Sequence, residues 1–287
     1  MTRPTGGLTG GDSGGDPAGG PNGGPAWTDS HCHLPDDDGT AAGVATGETA
    51  AALVAEANAD GVGRLVDVGT SLATSTAACA RAARFDSVSA TVGLHPHDAA
   101  AAPAELAGIE ALISGAPARP VAVGECGLDY FRDHSDASVQ RDAFAAQIEM
   151  ARRHDLALVV HSRDAWDDTF AVLDSVGVPE RTVFHCFTGG VAEARKALDR
   201  GAWVSFSGIV SFANAEPVRA AAAFVPAGRY LVETDAPYLA PVPNRGKTNR
   251  PAWVRHVGAA VAAVRECPAA QVAAESTAAA VAVFGLR

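Results

Sequence analysis

Six residues carry side chains that a divalent cation takes as ligands, and each lies at or near the end of a short apolar run. They are His31 and His33 in DSHCHL, Glu125 in VGECGLDY, His161 in LVVHSR, His185 in VFHCF and Asp235 in VETDAP. Imidazole nitrogen and carboxylate oxygen are the donors of open, catalytic metal sites, so this set suits one or two divalent cations. Alternate residues of a strand share a face. His31 and His33 would therefore present two imidazoles on one side, about 6.5 to 7 Å apart at the backbone. Ionisable groups gathered at strand ends are costly unless paired or metal-bound. The chemistry expected is metal-dependent hydrolysis.

Within that set, Glu125 follows the apolar run Val121 to Val123. It either pairs with a buried arginine or bridges two cations, as two-metal hydrolases require. Asp235 precedes Ala236 and Pro237. It would bind metal, act as general base on an activated water, or do both; the alternative is a helix-capping role. Arg163, Asn244, Arg245, Lys247, Asn249 and Arg250 form the clearest basic concentration. They read as a phosphate clamp, because Arg and Lys give charge-assisted bonds to phosphate oxygens; a solvated loop is the alternative. His95 and His97 in VGLHPHD are candidates for substrate or outer-sphere contacts, with a structural role equally open. His134, His154 and His256 read as surface histidines.

Apolar runs and helical periodicity alternate along the chain that must position these groups. Strands are expected over 27–33, 64–70, 88–95, 120–126, 156–162, 181–187, 202–209 and 229–235. Helices are expected over 48–60, 72–84, 103–114, 138–154, 165–176, 191–200, 215–224, 251–265 and 268–283. Eight strands, each followed by helix, predict an α/β fold of the (β/α)8 TIM-barrel type. A doubly wound sheet also accounts for the alternation but not for ligands at so many strand ends. Residues 1–26 are mostly Gly, Pro, Ser, Thr and Asp and are expected to be a disordered tail; residues 27–287 form the barrel domain.

The formal net charge of −11 excludes a broad basic surface for coating nucleic acid. It leaves room for a local phosphate pocket. The five cysteines are scattered and never form a CxxC pair, which favours a reducing compartment over a disulfide framework. Strand parity puts Cys32, Cys126 and Cys186 on the face opposite the ligands, in the outer packing layer. No apolar stretch approaches the ~20 residues of a membrane helix, and no signal-peptide core begins the chain. A cytoplasmic protein without membrane association is expected, with a monomer favoured.

The segments DSHCHL, VGLHPH, VGECGLDYF, QRDAFAAQIEMA, LVVHSRDA, VFHCFTG, GIVSF, LVETDAPYLAP and NRGKTNRPAWV resemble the TatD family of metal-dependent hydrolases, from about residue 27 to the C-terminus. Cys126 departs from the aliphatic or small residue expected after the glutamate. The resemblance implies an amidohydrolase-like barrel and a deoxyribonuclease. It implies that His31, His33 and Asp235 hold one metal, that His161 and His185 hold a second, and that Glu125 bridges. Arg163, Asn244, Arg245 and Lys247 would contact substrate, together with His97. The expected activity is 3′–5′ hydrolysis of single-stranded DNA ends by water activated between two divalent ions (Mg, Mn or Zn), with Asp235 and Glu125 as the catalytic carboxylates. The rival is an amide or ester hydrolase, such as a D-aminoacyl-tRNA deacylase.

Overall fold

The computed structural model describes residues 26–36, 38–132 and 134–286. The expectation for residues 1–25 lies outside them. Eight parallel strands form one sheet in chain order: β1 (Trp27–Cys32), β2 (Val62–Val68), β3 (Val88–Val92), β4 (Ala122–Asp129), β5 (Ala157–Arg163), β6 (Thr182–Phe184), β7 (Trp203–Phe206) and β8 (Tyr230–Val232). The last strand returns to the first. Ser30 donates its hydroxyl to Val232 O, Asp235 N to His31 O at 2.9 Å, and His33 N to Ala236 O at 2.8 Å. The result is a nearly closed TIM barrel.

Helices α1 (Ala50–Ala59), α2 (Leu72–Arg84), α3 (Ala102–Gly115), α4 (Ala137–His154), α5 (Trp166–Val176), α6 (Val191–Asp199) and α7 (Glu216–Phe224) each follow a strand. Two more, α8 (Val254–Val264) and α9 (Ala269–Phe284), follow β8. Helix starts follow local chemistry. Ser71 and Thr74 exchange side-chain and backbone bonds in a capping box at the start of α2. No single helix among the described residues is long and apolar enough to cross a membrane.

Parity along the strands separates two apolar layers. Leu158 and Val160 face outward into the layer shared with the helices. Ala157 and Val159 face inward, meeting Val66, Val68, Ala122, Val183 and Leu231. The same inner cluster holds Ala279, Ala280, Val283 and Phe284 of α9 and Leu286 beyond it. The last helix thus plugs the end of the barrel at which the strands begin. Continuing the inward column of β5 from Ala157 and Val159 gives His161 at the other end.

Five strand ends differ from expectation by three residues. β4 runs on to Asp129, while β3, β6, β7 and β8 stop at Val92, Phe184, Phe206 and Val232. Three small elements were not expected: a hairpin pairing Thr40–Ala41 with Val44–Ala45, and 3-10 turns over Pro96–Ala101 and Gly208–Ser211. All are too short to leave a periodic signal.

Candidate metal centre

Glu125 reaches the barrel interior against the parity of its strand. Ala122 points inward and Val123 outward, so a regular strand would turn Glu125 outward. The ladder between β4 and β5 shifts register between Val123 and Cys126. That irregularity re-aims the carboxylate inward and leaves Cys126 in the outer layer. Gly124 and Gly127 flank it at φ +123° and +136°. A Cβ at either would stand 2.4 Å from Val159 O or 2.1 Å from His161 O. Only glycine fits, because both φ values and the closeness of β5 exclude a side chain.

The two oxygens of Glu125 face two separate groups. Oε2 stands 3.3 Å from His31 Nε2 and 3.8 Å from His33 Nε2. Asp235 Oδ1 completes this group, 3.8 and 3.6 Å from the same two nitrogens. Oε1 stands 3.0 Å from His161 Nδ1 and 2.7 Å from His185 Nε2. Those two nitrogens are themselves 3.1 Å apart. All six residues singled out in the sequence therefore converge.

The hydrogen bonds behind the histidines set which nitrogen faces inward. His33 Nδ1 meets Val68 O at 3.1 Å, His161 Nε2 meets Asp129 Oδ2 at 3.3 Å, and His185 Nδ1 meets Glu233 Oε1 at 3.3 Å. When neutral, as a metal ligand must be, each imidazole has one N–H, and these outer partners would take it. The inward nitrogens then carry lone pairs. Lone pairs converging on a carboxylate oxygen repel unless a cation or proton lies among them. His31 adds a further sign, since both of its nitrogens are buried without a hydrogen bond. Ligand atoms around one cation at about 2.1 Å stand roughly 3.0–3.4 Å apart, close to the spacings here. The donor set fits divalent cations.

His95 differs. Its Nδ1 accepts the His97 N–H at 3.1 Å, so its proton sits on Nε2, which lies 3.3 Å from Glu125 Oε1. In that tautomer it donates to the carboxylate, and its ring also groups with Glu125 and His161 closely enough to share a cation. Burial also holds its pKa down, to about 4. Burial opposes ionisation of Glu125, but the His185 and His95 imidazoles overcome it and hold that carboxyl well below the usual range. Burial lifts Asp29 to about 8 against three donors, the Thr234 hydroxyl and the amides of Thr234 and His31. Through those bonds Asp29 ties the ends of β1 and β8 together.

The centre lies in a cavity of about 850 Å³ at the end where the strands finish. Arg163 and His97 line it. His97 Nε2 is 2.9 Å from Asp129 Oδ2. Asn244, Arg245 and Lys247 do not line it. Arg245 stacks on Phe212 at 3.6 Å instead. The remainder of the basic loop serves the fold: the Asn249 amide donates to Thr234 O and Tyr238 O, and Arg250 pairs with Glu48 and Glu56. The single clamp read from the sequence is thus divided.

One further reading needs correction. Cys32 and Cys126 lie in the outer layer, but Cys186 lines the cavity, at φ +42°, because β6 has already ended. His134 is exposed, as read, and stands at the cavity's rim with its ring 4.7 Å from that of His97. Sequence reasoning missed Asp129 as a partner of His161, though it lies four residues beyond Glu125 on the same strand. Glu233, the partner of His185 Nδ1, was missed as well. The Glu233 carboxylate also accepts the Cys186 N–H at 2.7 Å.

A family model described as TatD related DNase matches residues 28–285. A Bacillus subtilis protein, named uncharacterized metal-dependent hydrolase YabD, is 36% identical over 78% of this chain and 88% of its own length. A Cronobacter sakazakii protein, named 3′–5′ ssDNA/RNA exonuclease TatD, is 38% identical over 71% of this chain and 80% of its own. Among solved structures, a TatD homologue from Escherichia coli K12 superposes with a TM-score of 0.82 at 27% identity, covering 91% of this chain and 98% of that one. The family model spans nearly all of the described barrel, and the name of the Bacillus relative carries the metal dependence that the donor set fits. The chain belongs to the TatD family of metal-dependent hydrolases and is an enzyme of that kind.

Proposed function

We propose that this hydrolase removes nucleotides from the 3′ end of single-stranded DNA, using two divalent cations. The observation that carries the reading is Glu125, whose two oxygens face two separate donor groups at the floor of a cavity that Arg163 lines. His31, His33, Asp235 and Glu125 Oε2 would hold one cation; His161, His185 and Glu125 Oε1 would hold the other. When bound, such a pair supplies Lewis acidity at the phosphoryl group and lowers the pKa of water to near neutrality.

The chain's own groups do the rest. Asp235 receives the proton of the attacking water. His95 Nε2–H donates to Glu125 Oε1 and keeps that carboxylate ionised and oriented. Asp129 and Glu233 fix the rings of His161 and His185. Arg163 offers its guanidinium to the phosphate, and His97 stands beside it at the mouth. Lys247 lies further along the loop after β8, suited to the next phosphates of a strand. With a net charge of −11, attraction for a polyanion must be local to this mouth. The name of the Cronobacter relative supports the polarity and the single-stranded substrate.

The test is turnover of 3′-labelled and 5′-labelled single-stranded DNA and of D-aminoacyl-tRNA. Chelated protein should be inactive, and Mg²⁺ or Mn²⁺ should restore release of mononucleotides from the 3′ end. Deacylation without nucleotide release would replace the nuclease reading with an ester hydrolase, and full activity after verified metal removal would overturn both.

A further inference from the structure

The large hydrophobic side chains exposed among the described residues are Phe131, Tyr238 and Val242. All three leave from the end of the barrel that holds the cavity, Phe131 two residues past β4 and the others past β8. Val242 has no π face. Tyr238 is committed, since its hydroxyl donates to Ala42 O of the hairpin and its ring meets His33 edge-on at 6.5 Å. Phe131 is different. It is 57% exposed, so little of its ring contributes to the core.

Its surroundings hold it in place nonetheless. The Phe131 amide donates to Asp129 Oδ1 at 3.0 Å, and Oδ2 of the same carboxylate meets His161 Nε2 at 3.3 Å. One carboxylate thus fixes both a proposed ligand and the backbone that carries this ring. The Arg163 guanidinium carbon lies 3.9 Å from the ring centroid. Among the described residues that guanidinium has no carboxylate or carbonyl partner, and it lines the cavity. The ring is backed by a cation and faces solvent with most of its area.

We propose that Phe131 is a stacking platform for an unpaired nucleobase, the base adjoining the phosphate that Arg163 holds. The inference rests on the nuclease reading above. A π face accepts any base, and stacking is worth roughly ten- to a hundredfold in affinity per base. A base within a duplex is already stacked and paired, so the platform favours single-stranded ends. On an acidic chain, where the backbone finds little general attraction, such a contact supplies affinity that charge does not.

The test compares two oligonucleotides of equal length, one normal and one with abasic tetrahydrofuran units at its last two 3′ positions. Wild type, Phe131→Ala and Phe131→Trp are assayed with both metals supplied and melting temperatures matched. Wild type should show a KM roughly ten- to a hundredfold lower for the base-bearing strand. Phe131→Ala should erase most of that ratio by raising KM on the base-bearing strand, with much less change in kcat, and Phe131→Trp should restore it. If Phe131→Ala keeps the wild-type ratio while cutting DNA, the platform is overturned and the nuclease reading stands. If wild type cuts neither strand, both fall.

Discussion

The two ends of this barrel are lined from largely the same strands and the turns that follow them, yet they hold opposite chemistry. At the end where strands begin, the inward column is Val66, Ala122, Ala157, Val183 and Leu231, closed by Val283 and Phe284 of α9. At the other end it gives way to His31, Glu125, His161, His185 and Asp235, with both ring nitrogens of His31 left without a hydrogen bond. The apolar end gains stability from burial. The polar end gathers ionisable groups whose mutual cost is relieved only by what they bind. Cys186 and Asp235, both non-glycine residues at positive φ, also lie at the polar end, where strained backbone accompanies function. Stability and activity should therefore separate along the barrel axis.

The sharpest way to break that comparison is to substitute at the polar end and look for a purely kinetic loss. Asp235→Asn keeps shape but removes the proposed proton acceptor and one anionic donor. Maximal turnover should fall ~10² to 10⁴-fold at saturating DNA and excess metal, with the metal-free melting temperature nearly unchanged. Near wild-type turnover with both metals bound would remove Asp235 from the role of base.

The apolar end should respond in the opposite sense. Phe284 is 3% exposed, and Phe284→Ala should cost about 3–5 kcal/mol of unfolding free energy. Denaturant titration would read this loss, while kcat well below the melting temperature should stay close to wild type. A kcat that falls in step with stability would show that the two ends are coupled.

A smaller effect is expected one layer behind the ligands. Glu233→Gln weakens the acceptor of His185 Nδ1 and of the Cys186 amide. Metal affinity should drop roughly 10- to 100-fold, visible as a higher Mn²⁺ concentration for half-maximal activity, with turnover recovered at saturating metal. Failure to recover would place Glu233 in the chemistry itself. Smallest of all, deletion of residues 1–25 should leave melting temperature and turnover unchanged, because that stretch has almost no apolar groups to pack. A marked drop in either would tie it to the barrel.

How far the sequence could be read follows from which interactions are local. Strand and helix positions were legible because period-2 and period-3.6 patterns repeat over whole elements. The six candidate ligands were legible because each ends such a run. The inward turn of Glu125 was not, since it depends on a register shift against β5. Cys186 escaped the parity argument because its strand ended two residues earlier. The basic loop misled because charge is visible in a sequence and partners are not. Arg250 meets Glu48 and Glu56 about 200 residues earlier in the chain and is unavailable to a phosphate. Asp129 needed a strand longer than its apolar run suggested.

The plugged end has a practical consequence for attaching this enzyme to anything else. Ala26 O accepts a bond from Thr277 of α9, and Leu286 packs into the cluster that α9 closes. Both ends of the described chain therefore leave the barrel on the side away from the cavity. A surface tether, fluorescent fusion or second enzyme joined at either position would hang from the sealed face and leave the open mouth clear for a long polymer to approach. Circularly permuted variants opened at the hairpin over 40–45 would instead place the new ends beside that mouth, where Ala42 and Gly43 line it.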